Sequence, residues 1–183
     1  KKMIFKANFK KNYDFGIVKL EKLKKKYIND LNEYSLLKSF YKYLEYKPFK
    51  SKKETFLYFN NKIKLNDFKK SFWWSIILKE NNKAIGTFVF HDYNKKRNTL
   101  EGSWGLSPYY QKRGIMRLVF FNMIKNAKKN KIARIQAITD CRNRPSLKLT
   151  KSLGFKIEGK MKNYCYFQSK KEYRDSYLLS HTI

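Results

Sequence analysis

The chain is poor in the residues that would announce several common classes of protein. It holds two cysteines, two histidines, three prolines, seven glycines and 14 acidic side chains in 183 residues. Cys141 and Cys165 form no close pair, and with His91 and His181 they give no metal-ligand spacing, so no metal site is expected. No Pro/Gly-rich linker, repeat or composition break divides the chain, which points to one domain over residues 1–183 with a basic leader at 1–16. No apolar run approaches the ~20 residues that span a bilayer. A secretory h-region is missing as well, so a cytoplasmic protein without a membrane partner is expected. The first residue is Lys1 rather than methionine, and a trimmed or tagged N-terminus is expected.

What is abundant is apolar, aromatic and basic. Hydrophobic content of 42% and aromatic content of 17% suit a folded chain rather than a disordered one. The formal net charge of +29 suggests attraction to polyanions, because neutralising phosphates is how basic proteins gain non-specific affinity. Compositional bias is the competing source. Phe, Tyr, Met, Ile, Asn and Lys supply 99 of the 183 residues, the pattern an AT-rich genome would encode. Lysine outnumbers arginine 36 to 7, whereas sequence-specific readers of nucleic acid lean on arginine. We read bias plus a weak polyanion or ribosome association.

Periodicity orders the elements. Ile17–Leu23 is a short strand. Tyr27, Leu31, Tyr34, Leu37, Tyr41 and Leu44 recur every three or four positions, predicting an amphipathic helix over Lys26–Tyr46. Ser51 with Glu54 resembles a capping box opening a helix to about Leu65. Phe72–Leu78, Ala84–Tyr93 and Thr99–Leu106 read as strands joined by polar turns. A helix over Arg113–Lys129, a buried strand Ile132–Thr139, a short helix Asn143–Leu153 closed by Gly154, and strands Phe155–Tyr166 and Tyr173–Leu179 complete the chain. Antiparallel hairpins followed by a β-α-β unit predict an α+β fold with a mixed sheet.

The segment Glu101–Met116, EGSWGLSPYYQKRGIM, is the most informative stretch. A strand breaks at Ser107-Pro108 and passes through Gln111-Lys112-Arg113-Gly114 into the long helix. Unpaired N–H groups and the helix dipole make such a turn a cradle for phosphate. Between Gly102 and Thr139 the sequence has eight basic residues and no acidic one, which suits a ligand with several phosphates.

The turn Gln111-Lys112-Arg113-Gly114-Ile115-Met116 resembles the Gln/Arg-x-x-Gly-x-Gly/Ala loop of the GNAT N-acetyltransferase superfamily. Asn143-x-x-Ser146, then Leu153-Gly154-Phe155 and Glu158-Gly159, is similar to the C-terminal signature of the branch holding ribosomal-protein alanine N-acetyltransferases and related amino-sugar acetyltransferases. Ile85-Gly86-Thr87 on the preceding hairpin fits too. Met116 stands where the family has a small residue, and Thr150 where many members have a tyrosine.

The resemblance implies a GNAT-like, mostly antiparallel sheet flanked by helices, with a central β-α-β cofactor unit. It implies acetyl-CoA as cosubstrate, its pyrophosphate on the backbone of Gln111, Lys112, Arg113, Gly114, Ile115 and Met116. It puts the pantetheine arm where the Leu106 and Ile135–Thr139 strands splay, with Leu106 and Ser107 against the thioester. Glu101, at the branch's acidic position, is the expected proton acceptor, through water. Ser146 is the expected partner of the departing thiolate, beside Asn143, whose amide would hold cofactor or acceptor; both also suit helix capping. Tyr164 is a second candidate acid. Cys141 has no neighbouring histidine, so direct transfer is expected rather than an acyl-enzyme. Trp73, Trp74 and Trp104 are read as core or pocket wall.

Two functions follow as expectations. One is an acetyl-CoA-dependent N-acetyltransferase acting on a protein N-terminal α-amine or the amine of a nucleotide-linked sugar. Its acceptor side would be lined by the two early helices, which carry Asp30, Glu33, Glu45 and Glu54, with a basic connection at Lys47–Lys53. The other is a non-catalytic domain of the same fold serving a ribonucleoprotein.

Overall fold

Residues 6–67 and 69–183 are described by a computed structural model. In chain order the elements are β1 (Asn12–Asp14), β2 (Val18–Lys22), α1 (Ile28–Ser35), α2 (Lys52–Leu65), β3 (Phe72–Leu78), β4 (Lys83–Asn94), β5 (Thr99–Leu106), α3 (Ile115–Lys129), β6 (Arg134–Asp140), α4 (Arg144–Ser152), β7 (Lys156–Phe167) and β8 (Glu172–Thr182). The strands form one sheet in the order β1-β2-β3-β4-β5-β6-β8-β7. Every neighbouring pair is antiparallel except β5–β6, which is parallel with α3 as its crossover. This is the expected α+β architecture.

Two helical layers cover the sheet because β3 and β4 are apolar on both faces. Phe72, Trp74 and Ile76 join Phe88, Phe90 and the α3 residues Val119, Phe120 and Met123 in one core. Trp73 and Ile77, on the opposite face by alternation, pack with Ile28, Leu31, Tyr34 and the α2 residue Phe59. Trp104 packs on Phe120 with ring centroids 4.9 Å apart, so all three tryptophans serve packing. Gly86 lets β4 and β5 approach: a Cβ there would stand 2.4 Å from the Gly105 carbonyl oxygen.

Two expectations change. The helix predicted over Lys26–Tyr46 ends at Ser35 and gives way to a 3-10 turn at Lys38–Tyr41. Buried Ser35 explains the break, because its hydroxyl donates to the Leu31 carbonyl (2.7 Å) and its own carbonyl accepts from the Tyr41 phenol (2.8 Å). Phe40 then packs edge-on against Tyr34, at 4.7 Å between centroids. Tertiary contacts outweigh the continued helical spacing. The basic leader is also partly structural: its first five residues lie outside the described ones, but Ala7 and Phe9 are buried in the core, and Asn12–Asp14 pair with β2.

Candidate active site

The turn before α3 is built by backbone conformation. Ser107 N donates to the Ile85 carbonyl (2.8 Å), and a short 3-10 turn at Pro108–Tyr110 redirects the chain. Gln111 Nε2 donates to the Leu106 carbonyl (3.1 Å), pinning the turn to the end of β5. Lys112 (φ 61°) and Gly114 (φ 74°) both take the left-handed region, which folds successive N–H groups into a concave nest. Gly114 is the N-cap of α3; no side chain caps the helix, and a Cβ at Gly114 would meet nothing within 4 Å. The first-turn N–H groups of α3 therefore face open space at the positive end of a 15-residue helix.

Side chains around this nest divide by role. Arg113 lies over the Tyr110 ring (5.3 Å to centroid) and lines a cavity of about 290 Å³ with Ile17, Leu78, Lys79, Glu80 and Ile115. Lys112 is exposed. Ile115 and Met116 are buried in the core, so they can offer a phosphate only their backbone. Met116 in the small-residue position consequently does not obstruct the turn.

Beyond the nest, two strands part. β5 and β6 pair only at Thr99–Arg134, Leu100–Ile135 and Glu101–Gln136. Further along, β5 stays paired with β4 through Leu106, and β6 stays paired with β8 through Asp140. One edge of each strand is thus left open from residue 102 of β5 and residue 137 of β6. Buried Leu106 and Ser107 end the β5 side of the opening. An extended amide-bearing arm can hydrogen-bond such edges as an added strand would. Open edges, uncapped N–H groups and basic side chains fit a pantetheine–pyrophosphate ligand.

Glu101 sits where the strands part. Its side chain is 16% exposed; Gln136 Nε2 donates to Oε2 (3.1 Å), and His91 Nε2 lies 3.8 Å from Oε1. His91 is paired across the sheet with Glu101 and makes two closer contacts, Nε2 to Ser103 Oγ and Nδ1 to Asp92 Oδ2, both 2.7 Å. Sequence spacing did not select His91 or Gln136, since only cross-strand register brings them to Glu101, whereas strand alternation alone puts Ser103 on the face of Glu101.

On the other side, Asn143 is the N-cap of α4, its Oδ1 accepting from Ser146 N (3.2 Å). The capping role weighed from the sequence is therefore real. Ser146 is half-buried, and its hydroxyl makes no hydrogen bond to the described residues. Thr150 is fully buried and its hydroxyl is committed to the Ser146 and Leu147 carbonyls (2.9 and 3.1 Å), which removes it as a proton donor. The turn before α4 is fixed by Asp140: Oδ1 accepts from Arg142 N (2.7 Å), while Oδ2 pairs with Arg174 Nη1 (3.1 Å). Arg174 also stacks on Phe167 (3.9 Å to centroid) and donates to the Lys42 carbonyl (3.5 Å), tying the segment between α1 and α2 to the same corner.

Acidic groups gather here despite the chain's net charge. Tyr164 is half-exposed rather than core. Burial raises its phenol above the ordinary value, and Glu101, Cys165, Glu45 and Asp92 push it the same way. Cys165 Sγ donates to Glu45 Oε1 (3.1 Å), and burial chiefly pushes that thiol up to about 11. Cys141 is likewise raised, mainly by burial, which leaves little thiolate at neutral pH. Of the acids expected to line the acceptor side, Asp30 accepts from Ala84 N (2.9 Å), Glu33 pairs with Lys83 (2.5 Å) and Glu54 completes the cap of α2. Glu45 is the one of these acids that meets β7, at Cys165 next to Tyr164.

Comparison with known proteins agrees with this geometry. The model of the acetyltransferase (GNAT) domain family matches residues 18–156. Among solved structures, a GNAT-family acetyltransferase from Bacillus anthracis is 24% identical, with 98% of each chain covered and a TM-score of 0.78. The ribosomal-protein-S5-alanine acetyltransferase from Vibrio fischeri is 22% identical over 93% of this chain and 96% of its own, with a TM-score of 0.77. The microcin C7 self-immunity acetyltransferase, solved with acetyl-CoA and AMP, is 16% identical over 97% of this chain and 99% of its own, at a TM-score of 0.86. No curated protein matches the sequence. With a family model spanning most of the chain over a strand-split, helix-capped cradle, this protein belongs to the GNAT family and is an acetyl-CoA-dependent acetyltransferase.

Proposed function

We propose that this acetyltransferase modifies a primary amine carried as a cation, with a peptide or protein α-amine as the acceptor. The observation that carries the reading is Glu101 where β5 and β6 part, with Asp92 behind His91 next to it and Glu45 on Cys165, all three acidic groups acting on the Tyr164 phenol in a chain of net charge +29. Carboxylates concentrated there attract an ammonium group and favour its orientation toward the strand ends. An α-amine ionises near 8, whereas a lysine amine ionises near 10.4, so the former yields its proton far more readily at neutral pH. The Vibrio fischeri structure belongs to an enzyme that acetylates a ribosomal-protein alanine, which supports the same acceptor class.

In this reading the uncapped N–H groups of α3, with Lys112 and Arg113, hold pyrophosphate. The open edges at 102–106 and 137–140 hold the pantetheine amides. Bound acetyl-CoA supplies the acetyl thioester. Glu101, through a water, takes a proton from the acceptor ammonium; the neutral amine then bonds to the acetyl carbon, the C–S bond breaks, and the second nitrogen proton passes to the departing thiolate. Gln136 orients the Glu101 carboxylate by donating to Oε2. Ser146 offers its free hydroxyl to the sulfur that leaves. Asn143 holds the first turn of α4, and through it Ser146.

Thermal shift with acetyl-CoA, followed by thiol release in the presence of peptides with free or blocked α-amines, tests the proposal. Stabilisation by acetyl-CoA and turnover only with the free amine are expected. Turnover confined to amino-sugar nucleotides would move the acceptor to that class. Lack of stabilisation at millimolar acetyl-CoA, together with retention on a polyanionic resin at high salt, would favour a ribonucleoprotein role.

A further inference from the structure

The proton that Glu101 takes up has to leave, and a neighbouring imidazole provides a path. We infer that His91, backed by Asp92, carries this proton from Glu101 to solvent; the inference rests on Glu101 being the proton acceptor. His91 faces Glu101 across the β4–β5 ladder, with Nε2 3.8 Å from Oε1. Its Nδ1 is held 2.7 Å from Asp92 Oδ2, which fixes the ring plane and leaves Nε2 toward β5. Ser103, two residues along β5 on the same face as Glu101, has its Oγ 2.7 Å from Nε2 and adds a hydroxyl beside the imidazole. Exposure rises along this line, from 16% for the Glu101 side chain to 27% for His91 and 79% for Asp92, so it leads from the cleft to bulk water.

The backbone is shaped for this placement. Register slips between His91 and Asn94, and Asp92 takes φ 52°, a left-handed conformation that a non-glycine residue holds at a cost. That turn of the chain lets adjacent residues 91 and 92 meet side chain to side chain, although neighbours in a regular strand point to opposite faces. The charged and titratable groups facing the pair are Glu101 from β5 and Tyr164 from β7; Gln136 from β6 holds the far oxygen of Glu101.

The step balances without a co-reactant. The acceptor N–H bond breaks and an O–H bond forms on Glu101. That O–H then breaks as an N–H forms at His91 Nε2, directly or through Ser103. His91 finally gives the proton to water or buffer, restoring the carboxylate and the neutral ring. His91 acts through Glu101 and is a positioning and relay residue rather than a catalytic one.

Because the chain has only His91 and His181, proton NMR of the imidazoles tests the coupling without any acceptor, and His91→Gln assigns the signal. Glu101→Gln and Asp92→Asn are each expected to move the His91 titration midpoint to lower pH by about 0.5 or more, since each removes a negative charge next to the imidazolium. His181 is the internal control and should not move. Kinetically, His91→Gln is expected to lower kcat about tenfold in dilute buffer, to leave thermal stabilisation by acetyl-CoA unchanged, and to regain turnover with added imidazole. A His91 midpoint indifferent to Glu101→Gln overturns the relay, as does full turnover of His91→Gln in dilute buffer. Loss of acetyl-CoA stabilisation in His91→Gln, with no recovery in imidazole, also overturns it, in favour of a structural role. If wild type acetylated no amine, the proposed acceptor would fail, and the NMR arm would still decide the coupling.

Discussion

The two sides of the cleft are made in different ways. The proposed cofactor side, β5–turn–α3, is contiguous in sequence and would work through its backbone: left-handed Lys112 and Gly114, an uncapped helix and unpaired strand edges. The proposed acceptor side draws on Glu45, Asp92, Glu101 and Tyr164, which come from a connecting segment and three different strands, and would work through side chains. A backbone cradle tolerates changes of side chain, which is why Met116 can replace a small residue by turning into the core. A side-chain constellation depends on register, and one displaced strand would dissolve it.

The sharpest way to separate the two sides is a pair of substitutions. Glu101→Gln keeps shape and burial while removing the proposed proton acceptor. Turnover should fall about 100-fold or more, with acetyl-CoA stabilisation retained; steady-state kinetics beside a thermal-shift titration checks this. Gly114→Val should do the reverse, because a β-branched residue is strained at φ 74° and its side chain fills the space over the helix N-terminus. Acetyl-CoA affinity should weaken about tenfold or more, measured by calorimetry, while far-UV circular dichroism stays unchanged. Equal loss of both properties in both variants would break the division.

Arg174 ties the end of β6 to the segment between α1 and α2, since it binds Asp140 before α4 and the Lys42 carbonyl before α2. Both side chains of the ion pair are nearly buried, at 9% and 2% exposure. Arg174→Ala strands the Asp140 carboxylate and should cost about 3 kcal/mol of unfolding free energy in urea denaturation. The smallest effect is expected at the surface, where the Arg134 guanidinium and then the Ser180 hydroxyl lower the Glu158 carboxyl to about 2. A depressed carboxylate contributes stability that is full above its unfolded value near 4.3 and is lost as pH falls toward 2. The melting-temperature gap between wild type and Glu158→Gln should therefore be present at pH 6 and close by pH 2.

Local chemistry made much of the fold legible. Ser51 and Glu54 announce the start of α2, and the structure has Glu54 N on Ser51 Oγ (3.3 Å). Apolar spacing gave α3, and the apolar runs gave β3, β4 and β5 nearly to the residue. The same spacing overextended α1, because Leu37, Tyr41 and Leu44 continue a helical pattern that the Tyr41–Ser35 hydrogen bond overrides. In the candidate site, Gly114 and Asn143 could be picked out because turn and cap leave local signatures, whereas Glu101 was marked by the family resemblance and not by its own surroundings. His91 could not, since nothing within a few residues of it distinguishes it from a surface histidine.

What the sequence alone determined is the set of short-range features: a strand, a glycine-bearing basic turn, a helix, a capped second helix, and the charge on them. These follow from backbone sterics and the nearest few side chains, which any reader of the chain can see. Tertiary structure decided which strands part after Glu101, that Thr150 is buried and spent, and that Gln136 and His91, with Asp92 behind it, meet the Glu101 carboxylate. Those outcomes depend on cross-strand register and on packing between elements far apart in sequence, where the free energy belongs to the assembled sheet rather than to any segment of it.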